Sequence, residues 1–250
     1  MNTMADEPLH LTNAPIVEAV IGIDFDPLPP DVVAKFPLVV EELAPRYHQP
    51  TPIFEQKLQF DKSGVAPPSH EALPFGIRFV SEDKHYQVQL RRSTFLFSRL
   101  APYQSWEVFR QEAQAVWRVF QKLTAAPSPV SLGLRYVNKI SFPETEKIER
   151  YLRLYVTVPD SLEGGPQPVT GGHLRIQMPI GNPAGLLVAQ QVFLPSEAEG
   201  MNTIALDNDF RFSALGLSEK EIWDRFEQAR RLKNEYFVHF ITRELLEVYK

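Results

Sequence analysis

The sequence predicts an α+β protein, a tandem pseudo-repeat of β-α-β-β-β-β-α that forms one long curved antiparallel sheet with helices on its convex face. The first supporting observation is a fixed offset between the halves. Ile23-Asp24-Phe25-Asp26-Pro27 ends one apolar strand, and Ile140-Ser141-Phe142-Pro143 ends another 117 positions later. Phe97-Ser98-Arg99-Leu100 runs into a helix with Trp106, Phe109 and Ala113, and Phe212-Ser213-Ala214-Leu215, 115 positions on, runs into one with Trp223, Phe226 and Ala229. Self-similarity at a fixed period is the signature of a repeated architecture. The second observation is that period-two and period-3.6 apolar patterns follow one another in the same order twice. The third is that 22 prolines against 12 glycines gather between those patterns, where they punctuate rather than signal disorder.

Taken in order, Ile16 to Phe25 alternates, with Val17, Ala19, Ile21, Ile23 and Phe25 on one face and Glu18, Val20, Gly22 and Asp24 on the other, as a half-buried strand does. Asp31 to Tyr47 has helical spacing, and Pro37 should kink or split that helix. Strands are expected at Ile53–Asp61, Phe75–Glu82, Tyr86–Arg92 and Thr94–Arg99. Ser105 is the expected N-cap of a helix whose stripe is Trp106, Phe109, Ala113, Val116, Trp117, Phe120 and Leu123. The second half repeats the pattern with a strand at Val130–Phe142, a short helix at Glu144–Leu152 and a weak strand near Leu154–Val158. Strands follow at His173–Ile180, Leu186–Leu194 and Thr203–Phe212. The capping box Ser218-x-x-Glu221 then opens a long helix running to the C-terminus. The expected organisation is a single domain, 1–250, holding pseudo-repeats 11–126 and 127–250. Two antiparallel sheets with helices on one side bury themselves most simply by fusing edge to edge.

Composition narrows the function classes. At 44% apolar and 23% charged residues the chain has the profile of an ordinary globular protein with a sizeable core. No apolar run approaches the length of a membrane span, and Met1 to His10 lacks the features of a signal peptide. Cysteine is absent, which removes disulfides, thiolate catalysis and cysteine-ligated metals, and fits a reducing cytoplasm. The net charge of −5 gives no overall field towards nucleic acid. Phosphate loops, nucleophile elbows and His-Glu-x-x-His are missing, and six scattered histidines lack ligand spacing.

Asn13-Ala14-Pro15-Ile16-Val17-Glu18-Ala19, Gly133-Leu134-Arg135-Tyr136-Val137-Asn138-Lys139 and Leu206-Asp207-Asn208-Asp209 resemble a sporadically distributed prokaryotic family of about this length, which carries no assigned activity. The resemblance covers nearly the whole chain and implies a shared fold; it supplies no chemistry. In topology alone, the twofold element order resembles the saddle of the TATA-binding protein, and fold does not imply function.

The offset also locates candidate site residues. Aligning Phe25 with Phe142 places Glu18 on Arg135, and the two first strands should meet at the sheet centre. Glu18 and Arg135 would then face each other as a bidentate pair, either stitching the halves in register or flooring a ligand groove. By alternation the same face carries Arg78, Arg91, Lys139, Arg175, Asp207, Asp209 and Arg211, along with Gln87, Gln89, His173 and Gln177. That face is locally cationic within an acidic chain, as a binder of an anionic ligand requires. Asn138 falls on the core face, where an amide is expected to cap neighbouring backbone. Asp207-x-Asp209 has the spacing of a divalent-cation site, but the nearby Arg211 argues against one.

The leading functional expectation is a cytoplasmic binding or interaction protein, without cofactor or metal, that engages a protein partner, itself or an anionic small molecule through this face. One alternative is a nucleic-acid-binding saddle. Another is an enzyme acting on a phosphorylated or carboxylated substrate; the Glu-x-Glu-x-Lys signature of a triphosphate tunnel is missing.

Overall fold

The computed structural model describes residues 11–59, 69–155, 171–196 and 198–250. The elements are β1 (Ile16–Phe25), α1 (Pro30–Val33), α2 (Phe36–Glu42), β2 (Tyr47–Gln59), β3 (Ser69–Ser81), β4 (Tyr86–Arg91), β5 (Thr94–Leu100), α3 (Trp106–Thr124), β6 (Pro129–Pro143), a 3₁₀ turn (Ile148–Arg150), β7 (His173–Gly181), β8 (Ala184–Leu194), β9 (Met201–Ser213), α4 (Glu219–Phe240) and α5 (Arg243–Tyr249). The strands form one nine-stranded sheet in the order β2-β3-β4-β5-β1-β6-β9-β8-β7, so the fold is α+β with an antiparallel sheet.

The chain also divides into two compact units that are each discontinuous in sequence. One comprises Val20–Leu132 and Ser213–Leu217; the other comprises Met1–Ala19, Gly133–Phe212 and Ser218–Lys250. In the first unit, β3, β4 and β5 form a meander whose Phe79, Val88, Leu90, Phe95 and Phe97 are fully buried. The predicted stripe of α3 meets them. Phe95 lies 5.1 Å from Trp117 and Phe97 stacks 5.7 Å from Phe109, ring centre to ring centre. Ser105 caps α3, its hydroxyl accepting from the Val108 N–H, and Ala125 ends it in the left-handed region at φ 46°. Pro37 splits the first predicted helix: α1 stops at Val33, and α2 restarts with Pro37 in its first turn, where a proline has no amide bond to lose.

In the second unit β7, β8 and β9 pair in sequence, and β6 neighbours β9. Leu206 and Phe210 of β9 and Leu134 and Tyr136 of β6 are buried on the side covered by α4. The capping box is present in full: Ser218 accepts from the Glu221 N–H, and the Glu221 carboxylate accepts from the Ser218 N–H.

Two expectations need correction here. The helix read over Glu144–Leu152 is only the short 3₁₀ turn, because Ile148 and Leu152 are too few apolar residues to hold a helix against the core. The C-terminal helix is not continuous. Ile241 is extended at φ −107°, ψ 161°, and bridges Leu152 as in a short antiparallel pair. Thr242 donates its N–H to Tyr151 and caps α5 through the Leu245 N–H. A tertiary pairing thus breaks the helical stripe. Of the weak strand read near Leu154–Val158, Leu154 and Tyr155 are not in a strand, and the remainder lies outside the described residues.

Candidate polar site on the β6–β9–β8–β7 sheet

The strand register of the second unit sets the site. Gln190 of β8 stands opposite Asp207 of β9 and Arg175 of β7, while Val188 stands opposite Asp209 and Gln177. Residues directly opposite on antiparallel strands share a face, so these side chains form rungs of one polar surface. β6 adds Arg135 to it and β1 adds Glu18.

At the centre is a bidentate ion pair. Arg135 donates from Nε and Nη2 to the two oxygens of Asp207, both at 2.8 Å. The Asp207 side chain is 9% exposed and that of Arg135 42%, so the carboxylate is held inside while the guanidinium keeps an outward edge. Gln190 donates to Asp207 Oδ2 at 3.3 Å, and its own carbonyl lies 3.0 Å from His173 Nε2. Two residues along β9, Asp209 takes Arg211 in a forked contact at 2.9 and 2.8 Å. Gly133 of β6 makes room for that guanidinium, since a Cβ there would come within 3.1 Å of Arg211.

Charge couples the cluster. The Asp207 hydrogen bonds raise the Arg135 pKa, and the nearby charges of Glu18 and Asp209 raise it further, so this cation is locked on. Asp209 is pushed up from the ordinary carboxylate range, chiefly by burial, against the opposing pull of Arg211. Its Oδ1 is buried without a hydrogen-bond partner.

Of the nine candidate residues, the sheet gathers Glu18, Arg135, Asp207, Asp209 and Arg211. Arg135 takes its bidentate partner from Asp207; Glu18 acts on it only through its charge. Arg175 lies on the same face, exposed, in the rung of Gln190 and beside Gln177. Lys139 lies farther along β6, half-exposed, and its N–H bonds to Pro15. Arg78 and Arg91 belong to the other unit. Arg78 is exposed opposite Gln89, and Arg91 donates to Gln89 at 2.6 Å and lies 6.0 Å from the Phe75 ring. Among the described residues no three His, Asp or Glu side chains come together as a metal site, and no helix is long and apolar enough to cross a membrane.

Sequence reasoning missed Gln190, whose role depends on a register that periodicity does not show. It also missed Lys233, although a signal was present. Lys233 sits four residues from both Ala229 and Phe237, in the middle of the buried stripe of α4. Asn138 behaves as expected, donating from Nδ2 to the Leu206 carbonyl at 3.3 Å.

No protein-family model matches the chain, and no curated protein is significantly similar to it.

Proposed function

We propose that this chain is a binding protein whose polar sheet face, centred on Arg135, engages an anionic group (a carboxylate or a phosphate) of a partner or small ligand. The observation that carries this reading is the way Asp207 holds Arg135. The carboxylate uses Nε and Nη2, which fixes the guanidinium plane and leaves Nη1 for an incoming oxygen. An arginine already immobilised loses little further entropy when an anion docks, and a planar fork suits carboxylate and phosphate alike. Exposed Arg175 on the same face supplies a second cation. Among the described residues no three His, Asp or Glu side chains on this face come together closely enough to hold a metal, which favours binding over turnover.

The reading extends to architecture. In the strand order each half sets its first strand beside the last strand of its own meander, β1 beside β5 and β6 beside β9, and this supports a tandem duplication like the saddle topology. Membership in the sporadic prokaryotic family and a cytoplasmic setting remain part of the proposal, supported by the motifs and by the absence of cysteine.

The test is thermal unfolding of the full chain with inorganic phosphate, pyrophosphate, a tricarboxylate and a short DNA duplex, each at constant ionic strength. A ligand at a hundred times its Kd stabilises by about 2.7 kcal/mol. The expected result is a saturable stabilisation by one of the small anions that Arg135→Gln abolishes and Arg78→Gln retains. A response equal in both variants, or none, overturns the reading, and stabilisation by the duplex that weakens steeply when the series is repeated at higher salt would transfer it to nucleic acid.

A further inference from the structure

A second polar cluster lies on the other face of the same sheet, beneath α4. Lys233 enters from the middle of the apolar stripe formed by Ile222, Phe226, Ala229 and Phe237. Its Nζ stands 4.3 Å from the centre of the Tyr136 ring. A lysine at such a position normally finds a carboxylate. Here the charge acting on it is Arg230, of the same sign, and burial is the larger influence; together they bring the amine down to about 7. Arg230 itself is held by Glu227 at 2.9 and 2.7 Å.

The sheet supplies an independent observation. Asn208 of β9 is 1% exposed, and neither its Nδ2 nor its Oδ1 has a hydrogen-bond partner. The Ser141–Thr203 hydroxyl contact and the closeness of Gly133 to Arg211 set the register of β6 on β9. That register puts Tyr136 beside Asn208. On the other side of Asn208 stands Ala189, whose methyl group covers little of it. An orphaned amide at this depth is destabilising unless something occupies it. The amine stands over the Tyr136 ring, and the register sets the two free amide atoms on the strand position next to that residue.

We propose that Lys233 is a carbamylation site, where CO₂ adds to the amine and the resulting carbamate is held by the Asn208 amide under α4. CO₂ is small, neutral and apolar, so it can enter a packed interior that would refuse a charged reagent. The Nζ lone pair forms the new N–C bond, one C=O π pair moves onto oxygen, and Nζ releases one proton to solvent along the half-buried lysine stem. The product is an anion. It relieves the repulsion between Lys233 and Arg230, and its oxygens accept from Asn208 Nδ2. Among the described residues, the amine faces the Tyr136 ring from the sheet and feels the charge of Arg230 from its own helix, with Glu227 behind it. This site is independent of the anion-binding face proposed above.

The full-length protein is incubated with ¹³C-bicarbonate, the carbamate is trapped by alkylation with triethyloxonium, and peptides are read by mass spectrometry. The expected result is label on Lys233 in several-fold excess over the exposed, ion-paired Lys220 and Lys250, increasing as pH rises through 7. Asn208→Leu, which fills the same volume without a donor, should reduce that occupancy several-fold. Bicarbonate should also raise the melting temperature relative to chloride at equal pH and ionic strength, and this gain should vanish in Lys233→Arg. Absence of label on Lys233, label no greater than on Lys220 and Lys250, or occupancy unchanged in Asn208→Leu each overturns the proposal. The wild-type trapping experiment decides the matter even if a variant fails to fold.

Discussion

Arg135 and Asp207 show how exposure decides which partner of an ion pair matters more. The carboxylate is the buried member, so removing the guanidinium strands a charge, whereas removing the carboxylate leaves an arginine that can reach water. Arg135→Met is expected to cost about 2–4 kcal/mol at pH 7 in urea unfolding, and more than Asp207→Asn, which leaves no charge buried. An equal or larger loss for Asp207→Asn would contradict this assignment. Lys233 gives the opposite case. Its folded pKa, about 7, lies below its unfolded value, so between the two the unfolded chain holds more protons. Stability therefore rises with pH from about 7 towards the ordinary lysine range near 10.4. Lys233→Met should stabilise the protein by about 1–2 kcal/mol at pH 7 and flatten that rise, because the thioether fits the apolar stripe with no charge to bury. Unfolding midpoints of the two proteins at pH 7 and pH 10 check both points.

At the scale of elements, glycines and caps fix what periodicity leaves open. Gly185 of β8 stands opposite Phe212, and a Cβ there would come 2.5 Å from the Arg211 carbonyl oxygen and 2.6 Å from the Phe212 ring. Backbone cannot yield as a side-chain tip can. Gly185→Ala is accordingly expected to cost about 2–4 kcal/mol by displacing the start of β8 from β9. Gly133→Ala meets only the end of the Arg211 side chain, at 3.1 Å, and should cost less than about 1 kcal/mol while loosening the Asp209 contact. Equal losses for the two substitutions in thermal unfolding would show that the contrast between backbone and side chain does not govern these sites. The strands and both long helices were legible because each carries a clean period: α3 buries six of the seven stripe residues read for it, and Leu123 is half-buried. The break at Ile241 was not legible, since the apolar spacing runs on through it and only the pairing with Leu152 stops the helix.

For the whole molecule, the division into units does not follow the sequence midpoint. The unit containing β6 to β9 includes Ile16–Ala19, and the Lys139 N–H bonds to Pro15 while the Asn13 N–H bonds to Tyr249. The unit containing β2 to β5 includes Ser213–Leu217, and the Ala214 N–H bonds to the Val130 carbonyl. Cutting the chain in the Ala125–Pro129 segment should therefore not yield two folded pieces. Residues 127–250 alone are expected to lose cooperative unfolding and to regain it on adding a peptide covering 11–26; cooperative melting of 127–250 by itself would refute this. The amino-acid sequence determined the α+β class, most element positions, the caps at Ser105 and Ser218, and the polar parity of Glu18, Arg135, Asp207 and Arg211. All of these are set by residues within a few positions of one another, through alternation, helical spacing and local hydrogen bonds. Only the tertiary structure decided that Arg135 takes Asp207 rather than Glu18, that Gln190 supports the pair, and that Lys233 stands over the Tyr136 ring. Those outcomes depend on strand register and on which helix covers which strands, and such contacts join residues whose spacing in the chain carries no periodic trace.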